Sequence, residues 1–541
     1  REGVKLKADE PRSIYHKLMT EDVNVKVYDN ANQEITGKVE VENNRKITFT
    51  ADDNYDDVRF VIEGKIEKSE SPVVIITENL TRALMGVRNV SISYSGNQGT
   101  LLPGFMPHAE YVGMNQYNGQ LAPGWLFIMG YQDRDFAEKA VRNGWLTTDT
   151  LLNTPFVLTH TDNLNIRSTI EPISGLRIDL TGNRRFSQNE NAYFIANRYG
   201  NFPDSTRNMM TTGNFSMSIL TWSTAFEKIK SSNQYKSENF KRFKEYTEII
   251  SRRLANKRRD ADNSYTPGDG EYKDGYEITS QEVLIPAFLA AYSGRDPEKI
   301  ALTPFPSIWG IMPNWRITYD GLSKLGFVQK YLRSITINHA YRSSFNIGTY
   351  STNLFYLEDG SGLNYIRDVQ NNFIARNEVA TATINEQFSP LINIDFNFRN
   401  SFTTRFELKK NRTLALSLSN NQITEVKSDE FTIGLGYRFD EVQLIIRLGG
   451  SERELKSDLK LRTDLSIRDN KTIIRKLIED VDQPTAGQRI VSIKTTADYV
   501  LSDRFNLRLF FDRVVNNPFV ASSYPTANTN FGFSIRFTLT Q

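Results

Sequence analysis

The chain has 541 residues, of which 66 are Lys or Arg and 64 are Asp or Glu, for a formal net charge of +2, and it has no cysteine. That balance gives no basis for a nucleic-acid surface, and the lack of cysteine excludes disulfides and thiolate metal sites. A mean hydropathy of −0.47, with no run of about eighteen apolar residues, excludes membrane-spanning helices but not a β-barrel, where only alternate residues meet lipid. The length exceeds what one ordinary core uses, so a large barrel or several domains are the first options.

Residues 1–88 read as a polar β-rich segment, either a small module or a long loop excursion. Val23-Asn24-Val25-Lys26-Val27, Val39 to Val41, Ile47 to Phe49 and Val58 to Ile62 alternate, and Asp52, Asp53, Asp56 and Asp57 place water around them. The chain opens on Arg1-Glu2-Gly3 without an initiator Met or a signal peptide. That start leads one to expect a removed presequence or an upstream segment.

Residues 89–222 read as barrel strands around a loop rich in Gly, Pro and aromatics. Val90, Ile92 and Tyr94 alternate with serines, as do Leu164 to Ile170, Leu176 to Leu180 and Phe215 to Ile219 with small or polar residues. Between them Leu101 to Pro107 and Ala122 to Tyr131 carry breakers of both regular structures. Asp135 to Trp145 has the makings of a short helix.

Residues 223–314 read as a helical and loop insertion. Phe240, Phe243, Tyr246, Ile249, Ile250 and Leu254 recur at helical spacing within Glu238 to Arg259. A second helix is expected from Ser280 to Tyr292, interrupted near Pro286, with a mobile acidic loop, Asp260 to Tyr276, between the two. A barrel would carry this insertion beyond the membrane or inside its lumen.

Residues 315–541 give the clearest strands, ending in a closing strand. Ile392 to Phe398, Phe402 to Leu408, Leu414 to Leu418, Phe431 to Phe439, Leu459 to Ile467, Val491 to Tyr499 and Phe505 to Phe511 all alternate. The expected lumen-facing residues are Gly434, Gly436, Arg438, Lys460, Arg462, Asp464, Ser534 and Arg536. Phe531, Phe533, Ile535, Phe537 and Leu539 form the expected lipid face of the closing strand. Lys409-Lys410-Asn411 and Ser502-Asp503 read as tight turns, whereas Asn420 to Glu430, Asp469 to Gln488 and Val515 to Thr529 read as longer loops. Short turns belong to the periplasmic side of an outer-membrane barrel. This puts Asp503 and the C-terminus in the periplasm and Pro518 to Pro525 outside. Asp440 to Ser457 is too long for its periplasmic place in that scheme.

The chemistry offered by the sequence is thin. His16, His108, His160 and His339 have no second His at metal spacing, and His108-Ala109-Glu110 lacks the two cysteines a zinc deaminase needs. Asp260, Asp262, Ser264 and Glu271 fit four positions of a calcium loop, but Tyr265 stands where that loop needs Gly. A solvated acidic loop is the better reading. No nucleophile elbow, P-loop or zinc-protease motif occurs, so no enzyme, metal site or cofactor is expected.

Several segments together resemble the C-terminal part of the type IX secretion translocon, the SprA/Sov family of Bacteroidetes outer membranes. They are Leu101-Leu102-Pro103-Gly104-Phe105, Pro123-Gly124-Trp125 through Gly130-Tyr131-Gln132-Asp133, Leu151 to Phe156, Val283 to Tyr292, Pro313-Asn314-Trp315-Arg316, Ser401 to Asn421 and Phe431 to Phe439. The resemblance runs from about residue 89 to the end, and residues 1–88 match loosely. It implies an all-β fold: the C-terminal portion of a very large antiparallel transmembrane β-barrel with a helical insertion and long loops. Barrels of about 36 strands are the largest known, and roughly fifteen strands are legible here. The implied function is a protein-conducting outer-membrane channel that exports folded proteins bearing C-terminal sorting domains, with a link to gliding-motility adhesin export. Implied partners are an upstream part of the same translocon, a PorV-type shuttle barrel, a periplasmic plug protein, surface lipoproteins, the secreted cargo and outer-membrane lipid. The alternatives are a TonB-dependent nutrient receptor barrel, which wants a plug domain, and a soluble β-rich adhesin.

Overall fold

The computed structural model describes residues 3–18, 20–64, 86–110, 112–203, 209–229, 232, 234–358, 362–448, 451–502, 505–519 and 523–537. The chain divides into two compact units, Arg1–Leu84 and Met85–Gln541.

The first unit is a module of two antiparallel sheets around one core. β1 (Val4–Leu6), β6 (Tyr55–Gly64) and β3 (Val23–Tyr28) form one sheet, and β2 (Arg12–Tyr15), β5 (Lys46–Ala51) and β4 (Gly37–Asn43) form the other. Alternation turns Val27, Val58 and Phe60 of the first sheet and Ile14, Ile47 and Phe49 of the second into a shared core. Phe49 meets Phe60 edge to face at 5.5 Å between centroids.

The second unit is built on one antiparallel sheet of 14 strands. Its main path starts with β7 (Val87–Leu101) and, past a small hairpin of β8 (Asn115–Tyr117) and β9 (Gln120–Ala122), goes on to β10 (Phe156–Ile173) and β11 (Leu176–Ala192). The next place is shared by β12 (Met210–Ser218) and β13 (Asn314–Tyr319). β12 pairs with residues 184–191 of β11 and β13 with residues 176–181, so the two are halves of one wall strand. Then follow β14 (Leu332–Thr352), with β15 (Asn377–Val379) at its end, β16 (Thr381–Phe398), β17 (Phe402–Ser417) and β18 (Gln422–Leu448). The path closes with β19 (Ser451–Lys476), β20 (Val481–Ser502), β21 (Phe505–Pro518) and β22 (Thr526–Phe537).

Several expected turns are strand interior. Lys409-Lys410-Asn411 lies within β17, because its charges have partners in the wall: Lys409 reaches Glu407 at 3.0 Å and Lys410 reaches Asp429 at 3.1 Å. The expected loops Asn420 to Glu430 and Asp469 to Gln488 are largely β18, β19 and β20. Their hairpins shrink to turns near Asn421 and Asp480, whose φ values are 47° and 53°. The described parts of Asp440 to Ser457, residues 440–448 and 451–457, continue the pairing of β18 with β19 past a bulge at Glu441. Asp503 falls outside the described residues. Tight and long connections occur at both ends. Ser174-Gly175 and Arg399 to Ser401 are tight at one end, where residues 320–331 form a longer connection, while residues 102–155, 193–209 and 353–376 are long at the other, beside the tight turns near Asn421 and Asp480.

The insertion leaves the wall between β12 and β13 and holds helix α1 (Glu238–Ala261) and helix α2 (Gln281–Ser293). Ser237 caps α1, its Oγ accepting from the Phe240 N–H at 3.1 Å. α2 is not interrupted at Pro286, which lies inside a continuous helix whose residues 283–292 are all buried. Phe240, Phe243, Ile250 and Leu254 of α1 and residues 283–285 and 287–292 of α2 share one core cluster with Phe215, Met217, Phe345, Ile347, Ile384, Leu414, Leu416 and Ile423 of the sheet. An amphipathic helix over an apolar helix over a sheet face is how this layer buries its core.

The segment Asp260 to Tyr276 is packed rather than mobile. Tyr265 and Tyr276 are buried against Phe373, and the Arg258 guanidinium stands 3.4 Å from that ring. Asp262, a residue of the considered calcium loop, accepts from the Ser264 N–H at 2.9 Å. Arg367 grips Asp274 in two-pronged fashion at 2.6 and 2.7 Å and holds its carboxyl below the usual aspartate range. A depressed folded value adds stability that is present above the ordinary pKa, about 3.9, and is lost as pH falls through the folded value. The protection of the amides of residues 262–276, measured relative to their intrinsic exchange rate, should therefore be full at neutral pH and fall below about pH 4. Arg367→Met should abolish this pH dependence.

Candidate functional site

Cross-strand partners share a face of the sheet, so the register assigns every side chain to one of two surfaces. On one surface Gly434 is opposite Asp464, Gly436 opposite Arg462 and Arg438 opposite Lys460. Ser534 and Arg536 are opposite Arg508 and Asn506. Ser91, Ser93, Asn165, Arg167, Asp179, Arg316, Asp395, Arg405, Glu407 and Asp498 follow on the same surface across the sheet. All eight residues expected to face a lumen are on this polar side.

The polar face neutralises itself locally. Arg405 pairs with Asp395 at 2.7 Å, Arg462 with Asp464 at 2.9 Å, Arg468 with Glu430 at 2.9 Å and Arg508 with Asp498 at 2.5 Å. Exposed pairs of this kind contribute little stability, about 0–1 kcal/mol each. Their effect is on the field, since a wall of paired charges has no long stretch of one sign. Gly434 and Gly436 are not open gaps. A Cβ at Gly434 would meet Asp464 Oδ1 at 2.6 Å, and one at Gly436 would run into Thr403 Oγ1.

The other surface carries an apolar band. Phe402, Phe406 and Leu408 pair with Tyr437, Ile433 and Phe431, which pair in turn with Leu461, Leu465 and Ile467. The band continues through Ile493 and Val491, through Leu507, Leu509 and Phe511, and through Ile535, Phe533 and Phe531 of β22. At the far side it takes in Ile92 and Tyr94, Leu164 and Ile166, and Ile178 and Leu180. Phe431 to Phe439 matches the roughly 9–11 residues of a tilted spanning strand. Charged residues close the runs on the same face: Lys410 after Leu408, Asp429 before Phe431, Asp469 after Ile467 and Arg489 before Val491; Arg513 falls within the band, opposite Ile493 and followed by Val515.

Phe531 and Phe533 are 76% and 68% exposed, and Phe537 pairs with Phe505. Leu539 lies outside the described residues. β22 pairs with β21 alone and β7 with β10 alone among the described residues, so the sheet has two free edges. The strand read as closing the wall is an edge here.

No family model matches the chain, and no curated protein does. Among solved structures, one similar chain is OmpT, in-vitro folded, an outer membrane protein of Vibrio cholerae in its trimer form. It is 8% identical over 71% of this chain and 94% of that one, with a TM-score of 0.18. A superposition that poor establishes neither architecture nor role.

Beyond the band the same apolar face is covered by the insertion, and a layer of aromatics separates the two. Trp222 stacks on Trp315 at 5.3 Å, Trp315 stacks on Tyr341 at 4.5 Å, and Phe388 meets Tyr341 at 4.9 Å. The insertion is therefore on the side of the apolar band and not on the polar side, where a lumen filling would be. Under it sit buried ion pairs that the sequence reading missed. Arg412 and Glu386 meet at 3.0 Å with both side chains 2% exposed, and Arg475 and Glu425 meet at 2.8 Å. Arg412 also donates to the Thr224 carbonyl and Oγ1 at 2.8 Å each, and Arg475 to the Tyr235 carbonyl at 2.7 Å. These bonds tie the root of the insertion to the wall. Their signal was in the alternation: Arg412, Glu386, Glu425 and Arg475 stand where the pattern set by Leu414, Ile384, Ile423 and Ile473 asks for an apolar residue.

Proposed function

We propose that this chain is part of the wall of an outer-membrane protein-conducting channel, the type IX secretion translocon, through which folded proteins with C-terminal sorting domains are exported. The observation that carries the reading is the two-faced sheet. One face offers an apolar band of membrane height bounded by charges and aromatics, which suits lipid. The other offers mixed, locally paired charges, which suits a water-filled conduit that must not hold cargo tightly. A sheet with two free edges cannot stand in hydrocarbon, where every backbone group needs a partner. Further strands complete the wall in this reading, supplied by an upstream part of the same translocon. A PorV-type shuttle barrel, a periplasmic plug protein and surface lipoproteins are the proposed partners, and gliding-motility adhesins are among the proposed cargo. The end with Ser174-Gly175 and Arg399 to Ser401 lies on the periplasmic side, along with the C-terminus, and the end with the three long connections and the insertion lies outside the cell. Depleting the protein in its host should abolish surface display of sorting-domain cargo and leave the cargo in the periplasm. Undiminished export would overturn the translocon reading, and a chain monodisperse in buffer without detergent would overturn the membrane reading as well.

A further inference from the structure

The insertion returns to the wall through Ile308–Pro313, and this segment overhangs the apolar face of β7, β10 and β11. A groove of about 430 Å³ lies beneath it, lined chiefly by Ile92, Leu164, Ile166, Leu180, Trp309 and Ile311. Its described lining holds no charged side chain, and the hydroxyl on its floor is that of Ser168, since Thr181, opposite Arg167, faces the polar side. Gly182 admits the overhang, because a Cβ there would stand 3.0 Å from Ile311 Cγ2. The overhang is fixed: Met312 N–H donates to the Ser218 carbonyl at 3.1 Å, and Arg295 donates to the Gly310 carbonyl at 3.2 Å. Yet Trp309 is 89% exposed and Ile92 is 68% exposed.

We propose that this groove holds an acyl chain of the surrounding bilayer, clasped between the wall and Trp309. The proposal rests on the membrane reading above. The occupant follows from continuity: Ile92, Leu164, Ile166 and Leu180 belong to the apolar band, so whatever covers the band extends into the groove. An apolar lining without charge excludes a headgroup or a polar peptide from its floor. Arg184, one step beyond Gly182 on the same face, marks the polar end. Its guanidinium sits 5.2 Å from the Phe215 ring, and its Nε donates to the Pro306 carbonyl at 3.3 Å. An indole at the level where apolar lining gives way to a cation is the placement Trp favours at a membrane interface. The segment Ile308–Pro313 thus anchors the insertion to the lipid surface.

The test uses the chain together with the further strands that complete its wall, reconstituted in vesicles of phosphatidylcholine with brominated acyl chains. Emission lost on Trp309→Phe isolates the Trp309 signal from the other four tryptophans. A Leu435→Trp reporter in the Trp309→Phe background reads the band itself. The expected result is that bromine quenches Trp309 as well as the Leu435→Trp reporter, and that groove-filling Ser168→Phe relieves the quenching at Trp309 alone. Quenching of the reporter without quenching of Trp309 would overturn the lipid groove and leave the membrane reading intact. Quenching of neither would overturn both. Quenching of Trp309 undiminished by Ser168→Phe would place lipid outside the groove and overturn the clasp.

Discussion

Arginine at Leu435 should destabilise the membrane-inserted wall by about 2–4 kcal/mol, the cost of a cation on the lipid face near the bilayer midplane. Leu435 is central in the band, flanked on its own face by Thr404 and Thr463. Arginine at Thr432 should cost far less, because that position faces the polar side beside Glu430 and Arg468, where a charge meets water and carboxylates. Thr432 is a cleaner contrast than Gly436, whose missing Cβ makes room for Thr403. Urea titration of the folded protein in lipid would measure both variants. Equal losses from Leu435→Arg and Thr432→Arg would contradict the assignment of faces.

Replacing Arg412 with Met should cost about 3–5 kcal/mol, the penalty for leaving a buried charge without its partner. Glu386 would lose its guanidinium in a site where both side chains are 2% exposed, and Thr224 would lose two donors. The variant should release the root of the insertion, read as faster protease cleavage between Ile219 and Pro313 and a lower unfolding temperature. Adding Glu386→Gln should recover part of the loss, because the orphaned charge is then gone. If Arg412→Met alone leaves cleavage and unfolding unchanged, the ion pair does not secure the insertion.

The strands with clean alternation were legible because period-two patterning depends only on the chain itself. Phe431 to Phe439 and Leu459 to Ile467 each gave their facing from local sequence, and the register pairs them with one another. The core stripe of α1 was legible for the same reason at helical spacing. What could not be read locally was continuity. Lys409 and Lys410 look like a turn until Glu407 and Asp429 are known to stand beside them. Glu425 looks like loop until Arg475, distant in the chain, turns out to be its partner. The apparent interruption at Pro286 vanished because tertiary burial on all sides outweighs the missing N–H. Nor could local pattern tell that β12 and β13 are two halves of one wall strand, since the whole insertion separates them. Placing the insertion on the apolar face needed that pairing, as did recognising the groove under Trp309.

A cysteine scan of β18 from Thr432 to Arg438 would test the two-faced wall most directly. The chain has no native cysteine, so it adds no background of its own to a single substitution. In the wall completed by its further strands and reconstituted in lipid, a water-soluble thiol reagent should modify Thr432→Cys, Gly434→Cys and Arg438→Cys above the level seen without the substitution. It should spare Ile433→Cys, Leu435→Cys and Tyr437→Cys, which a reagent dissolved in the bilayer should reach instead. Uniform modification by the water-soluble reagent, or alternation in the opposite phase, would contradict a wall with lipid on its apolar face and water on its polar one.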